Sequence, residues 1–458
     1  MASPRSSGSF TWPNCDAVAA TINGENVSWL SLWRRVDQLT ARLEQQGVGR
    51  RDIVVCVATK PSEQLFLFLA CLRLGAVFTA LNHNFPEQQK KRLVEQLAAS
   101  IIIGDGFFSS ALESVTEDKP ASPTISQGQW ASLVMTSGSS GLPKAVLHTV
   151  GQHLASAEGL LSKIPFTKED GWLLSLPLYH VSGMAIIWRW LWRGARLVVD
   201  DESAMGSLSL ASHASLVPTQ LQRLLQRSRS RYPLLKQVLL GGSHIDSGLT
   251  ELAEQQGIAC WCGYGMTEAA STVTVKRADH TSSVGRLLPR RQMCLSGDEI
   301  WLRGETLALG YYRRGEVESL LSEDGWYHSG DLGRQTDGTL TIIGRMDNMF
   351  ISGGENIQPE EIEAVLLSHS EIDQAMVLAV DDSEFGQRPV AFISGGVAGD
   401  SAADSTYLAE YLQPRLARFK HPDRYFVLPP ELLTGGVKLS RRMLHEYYLR
   451  HLVACSDV

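Results

Sequence analysis

Residues 131–144, ASLVMTSGSSGLPK, place an apolar run before a stretch of small residues, a proline and a lysine. The apolar run predicts a buried strand, whereas the small residues after it bury too little surface to build a core. Their N–H groups and hydroxyls, with the Lys144 cation, have the chemistry of a phosphate-binding loop. The stretch departs from the P-loop pattern because Gly138 and Gly141 are too close and Pro143 intervenes. Composition alone would favour a surface turn, so the choice between a turn and a phosphate-binding loop depends on the surrounding sequence.

Short apolar runs alternate with helix-like segments through most of the chain. Residues 53–58 and 237–240 are typical of strands, and residues 29–46 of an amphipathic helix. This alternation predicts layered α/β subdomains with buried, largely parallel strands. Near residue 297 the pattern changes to short strands punctuated by glycines, which indicates a small β-rich, barrel-like unit.

A domain boundary is expected close to the GRMDN segment, residues 344–348. Beyond it the sequence resumes as an α+β segment whose first helix begins at Pro359 with acidic residues, both favourable in a first turn. We therefore expect a large N-terminal domain of residues 1–345 and a small α+β C-terminal domain of residues 346–458.

Composition and charge exclude several classes of protein. The 458 residues carry a formal net charge of −7, which argues against a nucleic-acid binder because no broad basic face is available. The seven cysteines are scattered, and Cys260 and Cys262 lack the partners of a zinc site, so reduced thiols and a cytoplasmic location are expected. Charged residues interrupt the apolar stretches 65–78 and 173–199, so we expect no membrane span, and the N-terminus has no secretory signal pattern.

Five more motifs follow the Ser/Gly stretch in order. They are LPLYHVSG (176–183), CGYGMTE (262–268), YHSGDLGR (327–334), GRMDNMFISGGENIQPEEIE (344–363) and GGVKLSRR (435–442). Together with the stretch at 136–144, they resemble the motifs of the adenylate-forming superfamily of acyl-CoA synthetases, non-ribosomal adenylation domains and luciferases. Residues 165–199 and 213–225 look like the corresponding segments of o-succinylbenzoate–CoA ligases, a family of menaquinone biosynthesis.

This resemblance implies the acyl-CoA synthetase fold with a mobile C-terminal domain, and an ATP- and Mg²⁺-dependent ligase. Such an enzyme converts o-succinylbenzoate and CoA into o-succinylbenzoyl-CoA, AMP and pyrophosphate through an acyl adenylate. Another aryl- or fatty-acyl-CoA ligase is the alternative. A carrier-loading adenylation domain and a non-catalytic nucleotide-binding protein also stay open, as does an oligomeric state anywhere from monomer to homotetramer.

The resemblance assigns the nucleotide site to residues of several motifs. Glu268 would offer Mg²⁺ a hard oxygen, Thr267 a hydroxyl to phosphate, and Tyr264 a flat face to adenine. A buried tyrosine beside a capping threonine would explain the same residues without a nucleotide. The remaining nucleotide-site residues are Thr136, Ser137, Gly138, Ser139, Ser140, Gly141, Lys144, Gly241, Gly242, Gly265, Asp331 and Arg345.

The C-terminal motifs carry the expected change between half-reactions. Lys438 matches the lysine that bridges the acyl carboxylate and the α-phosphate, although Val437 separates it from the usual glycine. Asp347 matches the hinge position, and Gly353 and Gly354 match the segment presented for the thioester step.

The acyl pocket is expected around GMAIIWRWLWRGA, residues 183–195. Arg189 lies there among tryptophans, where an unpaired guanidinium is costly and must find an anion or reach water. The resemblance makes Arg189 the candidate for the second carboxylate of o-succinylbenzoate, with Ser182 and Ser215 as polar neighbours. His180 could line this pocket, gate CoA or pack in the core.

Overall fold

The computed structural model describes residues 8–108, 124–136, 143–203, 205–241, 245–397, 402–433 and 439–453. The chain divides into two compact units. Unit 1 comprises Met1–Cys294, Trp301–His328 and Gln335–Leu340, and unit 2 comprises Leu295–Ile300, Ser329–Arg334 and Thr341–Val458.

The helices and strands follow the predicted alternation. The described helices are α1 (Trp29–Gln45), α2 (Pro61–Leu74), α3 (Glu87–Leu97), α4 (Val150–Leu161), α5 (Val181–Arg193), α6 (Pro218–Leu225), α7 (Ser247–Gln255), α8 (Pro359–Leu367), α9 (Ala402–Leu412), α10 (Pro430–Leu433) and α11 (Arg441–Tyr448). The described strands are β1 (Ser9–Thr11), β2 (Val18–Ile22), β3 (Glu25–Ser28), β4 (Ile53–Cys56), β5 (Val77–Ala80), β6 (Ile101–Ile103), β7 (Thr124–Ser126), β8 (Trp130–Thr136), β9 (Lys144–Thr149), β10 (Gly171–Leu173), β11 (Arg196–Val199), β12 (His213–Leu216), β13 (Gln237–Leu240), β14 (Ala259–Cys262), β15 (Gly265–Met266), β16 (Ser271–Thr272), β17 (Thr274–Arg277), β18 (Ser283–Leu287), β19 (Arg291–Ser296), β20 (Glu299–Gly304), β21 (Gly310–Arg313), β22 (Glu316–Ser319), β23 (Tyr327–Thr336), β24 (Thr339–Arg345), β25 (Phe350–Ser352), β26 (Glu355–Ile357), β27 (Ile372–Asp382), β28 (Gly386–Gly395) and β29 (Arg424–Val427).

Unit 1 contains two sheets built around parallel strands. In the first, β2, β11, β10, β12, β13 and β14 are neighbours in that order, and each adjacent pair is parallel. The second has the order β22-β21-β9-β8-β5-β4-β6, with parallel pairing from β8 to β6 and antiparallel pairing from β8 to β22. The expectation of buried, largely parallel strands is confirmed for the core of each sheet.

An aromatic core holds α5 in unit 1. Trp190 stacks on Trp29 of α1 with ring centroids 5.0 Å apart, and its Nε1 donates to the carbonyl oxygen of Ala19. Trp188 stacks on His153 of α4 at 4.9 Å. Because α5 is apolar on nearly every side, it is buried on nearly every side. Arg189, between the two tryptophans, is therefore carried into the interior.

The chain between Ser283 and Arg345 forms strands β18 to β24 and contains no α-helix, so the β-rich segment expected near residue 297 is present. In unit 2, strands β26, β25, β28 and β27 are neighbours in that order, and β29 pairs with β28. Helix α8 begins with Pro359 and has Glu360 and Glu361 in its first turn, as the sequence predicted.

Candidate active site

The Ser/Gly stretch joins two antiparallel strands of unit 1. Strand β8 ends at Thr136, β9 begins at Lys144, and these two residues are register partners. The Thr136 hydroxyl donates to the Lys144 carbonyl oxygen at 3.4 Å. The predicted site residues Ser137, Gly138, Ser139, Ser140 and Gly141 lie outside the described part of the chain. A P-loop connects a strand to a helix, so this strand-to-strand connection explains why that pattern does not apply.

A tyrosine brings together the two charged residues predicted from separate motifs. The Tyr311 hydroxyl donates to Glu268 Oε1 at 3.0 Å. The Lys144 ammonium lies 4.5 Å from the centre of the Tyr311 ring, within cation–π range. Sequence reasoning missed Tyr311. The only available signal was the pair of tyrosines in GYYRR, residues 310–314, which is equally typical of an ordinary strand.

The turn that carries Thr267 and Glu268 is fixed by three hydrogen bonds to its backbone. His148 on β9 lies 2.9 Å from the Thr267 carbonyl oxygen, and Ser156 on α4 donates to the Ala270 carbonyl oxygen at 2.6 Å. The Ala308 N–H donates to the Glu268 carbonyl oxygen at 2.8 Å. Burial lowers the pKa of His148 to about 4, so its imidazole is neutral near pH 7 and its Nε2–H is the donor.

Tyr264 and Gly265 lead into this turn. Tyr264 is buried, and its carbonyl oxygen accepts from the N–H groups of Val273 and Thr274. A Cβ at Gly265 would lie 2.2 Å from the Ser271 carbonyl oxygen, so close backbone approach already requires glycine there. Gly241 directly follows β13, and its partner in the prediction, Gly242, lies outside the described residues.

The predicted acyl residues Arg189 and Ser215 are in contact. Arg189 is only 2% exposed, donates to the Ser215 hydroxyl at 3.3 Å and lies 5.2 Å from the centre of the Trp172 ring. Trp172 Nε1 also donates to Ser215, at 3.2 Å. Among the residues that the structure describes, no carboxylate forms an ion pair with Arg189. Burial, with a smaller effect of the Arg291 charge, lowers the pKa of Arg189 to about 9, so it is still a cation near pH 7.

The other two predicted acyl residues lie at the start of α5. Ser182 is in the first turn, two helical turns before Arg189 and so on a similar side of the helix. His180 is the N-cap residue and is exposed, with its ring 4.8 Å from that of Tyr179. The packed-core alternative for His180 is therefore wrong.

In unit 2, three predicted residues form one ion-pair cluster. Arg345 Nη1 lies 2.8 Å from Asp331 Oδ1, and Arg345 Nε lies 2.8 Å from Asp347 Oδ1. Arg345 Nη2 also donates to Asp347 Oδ2 at 3.2 Å, which makes the contact with the predicted hinge residue bidentate. Sequence reasoning placed Asp331 and Arg345 among the nucleotide-site residues, but it did not foresee their contact or the one with Asp347.

The remaining C-terminal residues fall into two groups. Gly353 and Gly354 connect β25 to β26 with φ angles of 56° and 88°, which are left-handed values that favour glycine. Lys438 lies outside the described residues.

Glu268 is the metal ligand that the sequence predicted. Within the described ranges, no three His, Cys, Asp or Glu side chains are grouped closely enough to hold an ion. The half-buried Glu268 carboxylate offers a single hard ligand, and this suits Mg²⁺, which usually takes one or two carboxylates together with substrate phosphates and waters. Burial raises the pKa of Cys260 to about 12, so this thiol is protonated near pH 7.

Among the helices of the described segments, none is both long enough and apolar enough to cross a bilayer.

The chain matches the AMP-binding enzyme family over residues 11–312 and the AMP-binding enzyme C-terminal domain over residues 361–434. It belongs to the AMP-binding enzyme family and has the acyl-CoA synthetase-like fold, with a large N-terminal domain and a small C-terminal domain. The predictions of family and fold are confirmed.

Individual enzymes also match nearly the whole chain. The chain is 43% identical to the 2-succinylbenzoate–CoA ligase of Escherichia coli K12, over 95% of this chain and 96% of that protein. It is 44% identical to the Salmonella typhimurium LT2 enzyme of the same name, over 94% and 95%. Among solved structures, an arginine-to-lysine variant of E. coli MenE with bound OSB-AMS superposes with a TM-score of 0.83 at 42% identity, covering 94% of this chain and 95% of that one. Bacillus subtilis MenE with ATP and magnesium gives 0.78 at 25% identity, covering 90% and 93%.

Proposed function

We propose that this chain is an AMP-forming ligase that joins o-succinylbenzoate to CoA through an acyl adenylate, in menaquinone biosynthesis. The relatives named 2-succinylbenzoate–CoA ligase, matched over nearly the whole chain, support the activity. The observation that carries the substrate assignment is the buried Arg189 cation, which has no acidic partner among the described residues. A cation in this position is suited to an anion that arrives with the substrate.

The reaction needs activation because a carboxylate is a poor acyl donor. Attack of the succinyl carboxylate oxygen on the α-phosphorus of ATP forms the acyl adenylate and releases pyrophosphate. The CoA sulfur then bonds to the acyl carbon, AMP leaves, and the thiol proton is released. Charge therefore builds on phosphate oxygens in the first step, and preorganised donors and cations stabilise it best.

The residues of unit 1 are suited to that task. We assign the loop from Thr136 to Lys144 to the β- and γ-phosphates, where Lys144 offsets the charge of the departing pyrophosphate. Thr267 would donate its hydroxyl to phosphate, and Glu268 would hold Mg²⁺ by one carboxylate oxygen. When bound, Mg²⁺ supplies further positive charge to the phosphates. Tyr264 would contribute a flat surface to the adenine.

The second carboxylate of o-succinylbenzoate, on its ring, stays unactivated and needs recognition instead. We assign it to Arg189, directly or through a water, with Ser215 orienting the guanidinium. Asp331 and Arg345 are assigned to the ribose and phosphate, Lys438 to the adenylation step, and Gly353 and Gly354 to the thioester step.

The use of ATP and CoA supports a cytoplasmic location.

One coupled assay tests the proposal. AMP release would be followed with ATP, CoA and one of three acids: o-succinylbenzoate, benzoate or octanoate. We expect a kcat/KM for o-succinylbenzoate at least about 100-fold above the other two, because only that acid supplies an anion to the buried arginine. A preference for benzoate or octanoate would instead identify a general aryl- or fatty-acyl-CoA ligase. Absence of AMP release with every acid would favour a non-catalytic nucleotide-binding protein.

A further inference from the structure

Tyr311 makes two different contacts with residues assigned to Mg²⁺·ATP. Its hydroxyl donates to Glu268 Oε1 at 3.0 Å, and the centre of its ring lies 4.5 Å from the Lys144 ammonium. An ionised carboxylate is an acceptor only, so the proton of this hydrogen bond belongs to Tyr311. One side chain thus restrains an anion from one motif and a cation from another.

Strand register explains why Tyr311, rather than its neighbour, occupies this place. On β21, Tyr311 pairs with Val146 of β9 and Tyr312 pairs with Ala145. Successive side chains on a strand point to opposite faces. Tyr312 accordingly packs against Trp130, with ring centroids 6.4 Å apart, and belongs to a different apolar cluster.

A second tyrosine supports the first. Tyr327 and Tyr311 pack against the same apolar cluster of Val146, Ala308 and Leu320, and a hydrogen bond to Tyr311 is among the causes of a raised pKa at Tyr327. Burial raises the pKa of Tyr327 far above its usual value, and the negative charge of Glu268 adds to this effect. Tyr327 therefore stays protonated and can donate to Tyr311, which in turn donates to Glu268. The direction of donation along this chain is fixed by the acceptor-only carboxylate at its end.

We propose that Tyr311 is a positioning residue that holds the Glu268 carboxylate and the Lys144 ammonium in place to receive Mg²⁺·ATP. Its hydroxyl donates to Glu268 Oε1 and so orients the carboxylate. The other carboxylate oxygen is then left to bind Mg²⁺. Its ring restrains the flexible lysine side chain close to where the phosphates are assigned. The inference rests on the proposed function, which gives Glu268 and Lys144 their roles.

The test is nucleotide binding without turnover. Calorimetry would measure the dissociation constant of ATP in the absence of acid and CoA, once with Mg²⁺ and once with EDTA. Tyr311→Phe keeps the ring and removes the hydroxyl, so we expect about tenfold weaker binding of Mg²⁺·ATP and less than about a twofold change for metal-free ATP. Tyr311→Leu also removes the ring, so binding should weaken in both conditions. A merely structural role would not make the loss depend on the metal.

Tyr312→Phe is the matched control, since it removes a hydroxyl from the same strand on the opposite face, and both constants should be unchanged. If Tyr311→Phe fails to fold, as judged by its melting temperature, Tyr327→Phe removes the next donor and should give a smaller loss that is again confined to Mg²⁺·ATP. Glu268→Gln separates the hypothesis that Glu268 binds Mg²⁺ from the hypothesis that Tyr311 positions Glu268. If Glu268→Gln leaves Mg²⁺·ATP binding unchanged, the metal role of Glu268 is wrong. If Glu268→Gln weakens it but neither tyrosine variant does, only the inference about Tyr311 is overturned.

Discussion

At the scale of single residues, Arg189 has the sharpest consequence, because its charge is buried without an acidic partner in the described residues. We predict that Arg189→Ala raises the KM for o-succinylbenzoate about 10- to 100-fold, the range expected for a charge-assisted hydrogen bond. Arg189→Lys keeps the charge but loses the planar, two-pronged guanidinium. Its KM for o-succinylbenzoate should lie between those of the wild type and Arg189→Ala. Steady-state kinetics with each substrate varied would measure this, and the KM for ATP is the internal control. Equal increases for both substrates would contradict a role in acid recognition.

His148 gives a prediction about acid stability. Its folded-state pKa of about 4 lies below the ordinary value of 6.5, so the unfolded chain binds more protons between these two values. The His148 contribution to stability is therefore complete above about pH 6.5 and is lost as the pH falls toward 4. We predict that acidification from pH 7 to 5 lowers the free energy of unfolding by about 2 kcal/mol less in His148→Gln than in the wild type.

Denaturant titrations at the two pH values would measure the difference. His153 stacks on His148 at 4.7 Å, and its pKa is lowered by burial and, to a smaller extent, by the His148 charge, so His153 adds acid lability of its own in both proteins, somewhat less in the variant. Equal losses in wild type and variant would show that His148 does not titrate in this range. Gln can still donate to the Thr267 carbonyl oxygen, so the variant should retain activity, whereas His148→Phe should lose much of it.

The residue scale also shows where sequence reasoning stops. The contact between Arg189 and Ser215 was expected because both residues lay in segments that resembled a known acyl pocket. Tyr311 was not expected, because two adjacent tyrosines on a strand differ only in which face they occupy. That choice depends on the pairing of β21 with β9, which are far apart in the sequence.

At the scale of elements, the start of α5 depends on a glycine. A Cβ at Gly183 would lie 2.1 Å from the Pro177 carbonyl oxygen and 2.6 Å from that of Leu176. These are backbone atoms, so the helix or the preceding turn has to move. We predict that Gly183→Ala lowers stability by about 2 kcal/mol and raises the KM for o-succinylbenzoate, because α5 carries Arg189. Gly106→Ala, where a Cβ would meet no atom within 4 Å, is the control. Thermal unfolding with parallel kinetics would decide, and similar behaviour of the two variants would refute the steric argument.

Elements with strong periodicity were predicted well. Helix α1, expected over 29–46, spans Trp29–Gln45, and the strand expected over 237–240 spans Gln237–Leu240. What could not be predicted is the order of strands in each sheet. Strands β21 and β22 extend the sheet of β4, β5 and β8 although strands β10 to β20 lie between β9 and β21 in the sequence, and no local pattern indicates such a pairing.

At the scale of the whole molecule, unit 2 is assembled from three stretches of chain. A change of sequence pattern predicted one boundary, after Arg345. That the two short stretches at 295–300 and 329–334 belong to unit 2 could not be predicted, because tertiary contacts and not local composition assign them to it. The boundary at 345/346, as the place where the C-terminal domain would turn between half-reactions, stays a prediction.

That prediction can be tested at Asp347, the second residue after the boundary, which accepts two hydrogen bonds from Arg345. Proline at this position fixes φ and so restricts any change of backbone state. We predict that Asp347→Pro leaves o-succinylbenzoate-dependent ATP–pyrophosphate exchange within about threefold of wild type and slows thioester formation from supplied acyl adenylate at least about 100-fold. Asp347→Ala removes the same ion pair without fixing φ, so it should support both half-reactions. If the alanine variant loses thioester formation as severely as the proline variant, the carboxylate and not backbone freedom is what the second half-reaction needs. If the proline variant retains full CoA-dependent turnover, residue 347 is not a hinge.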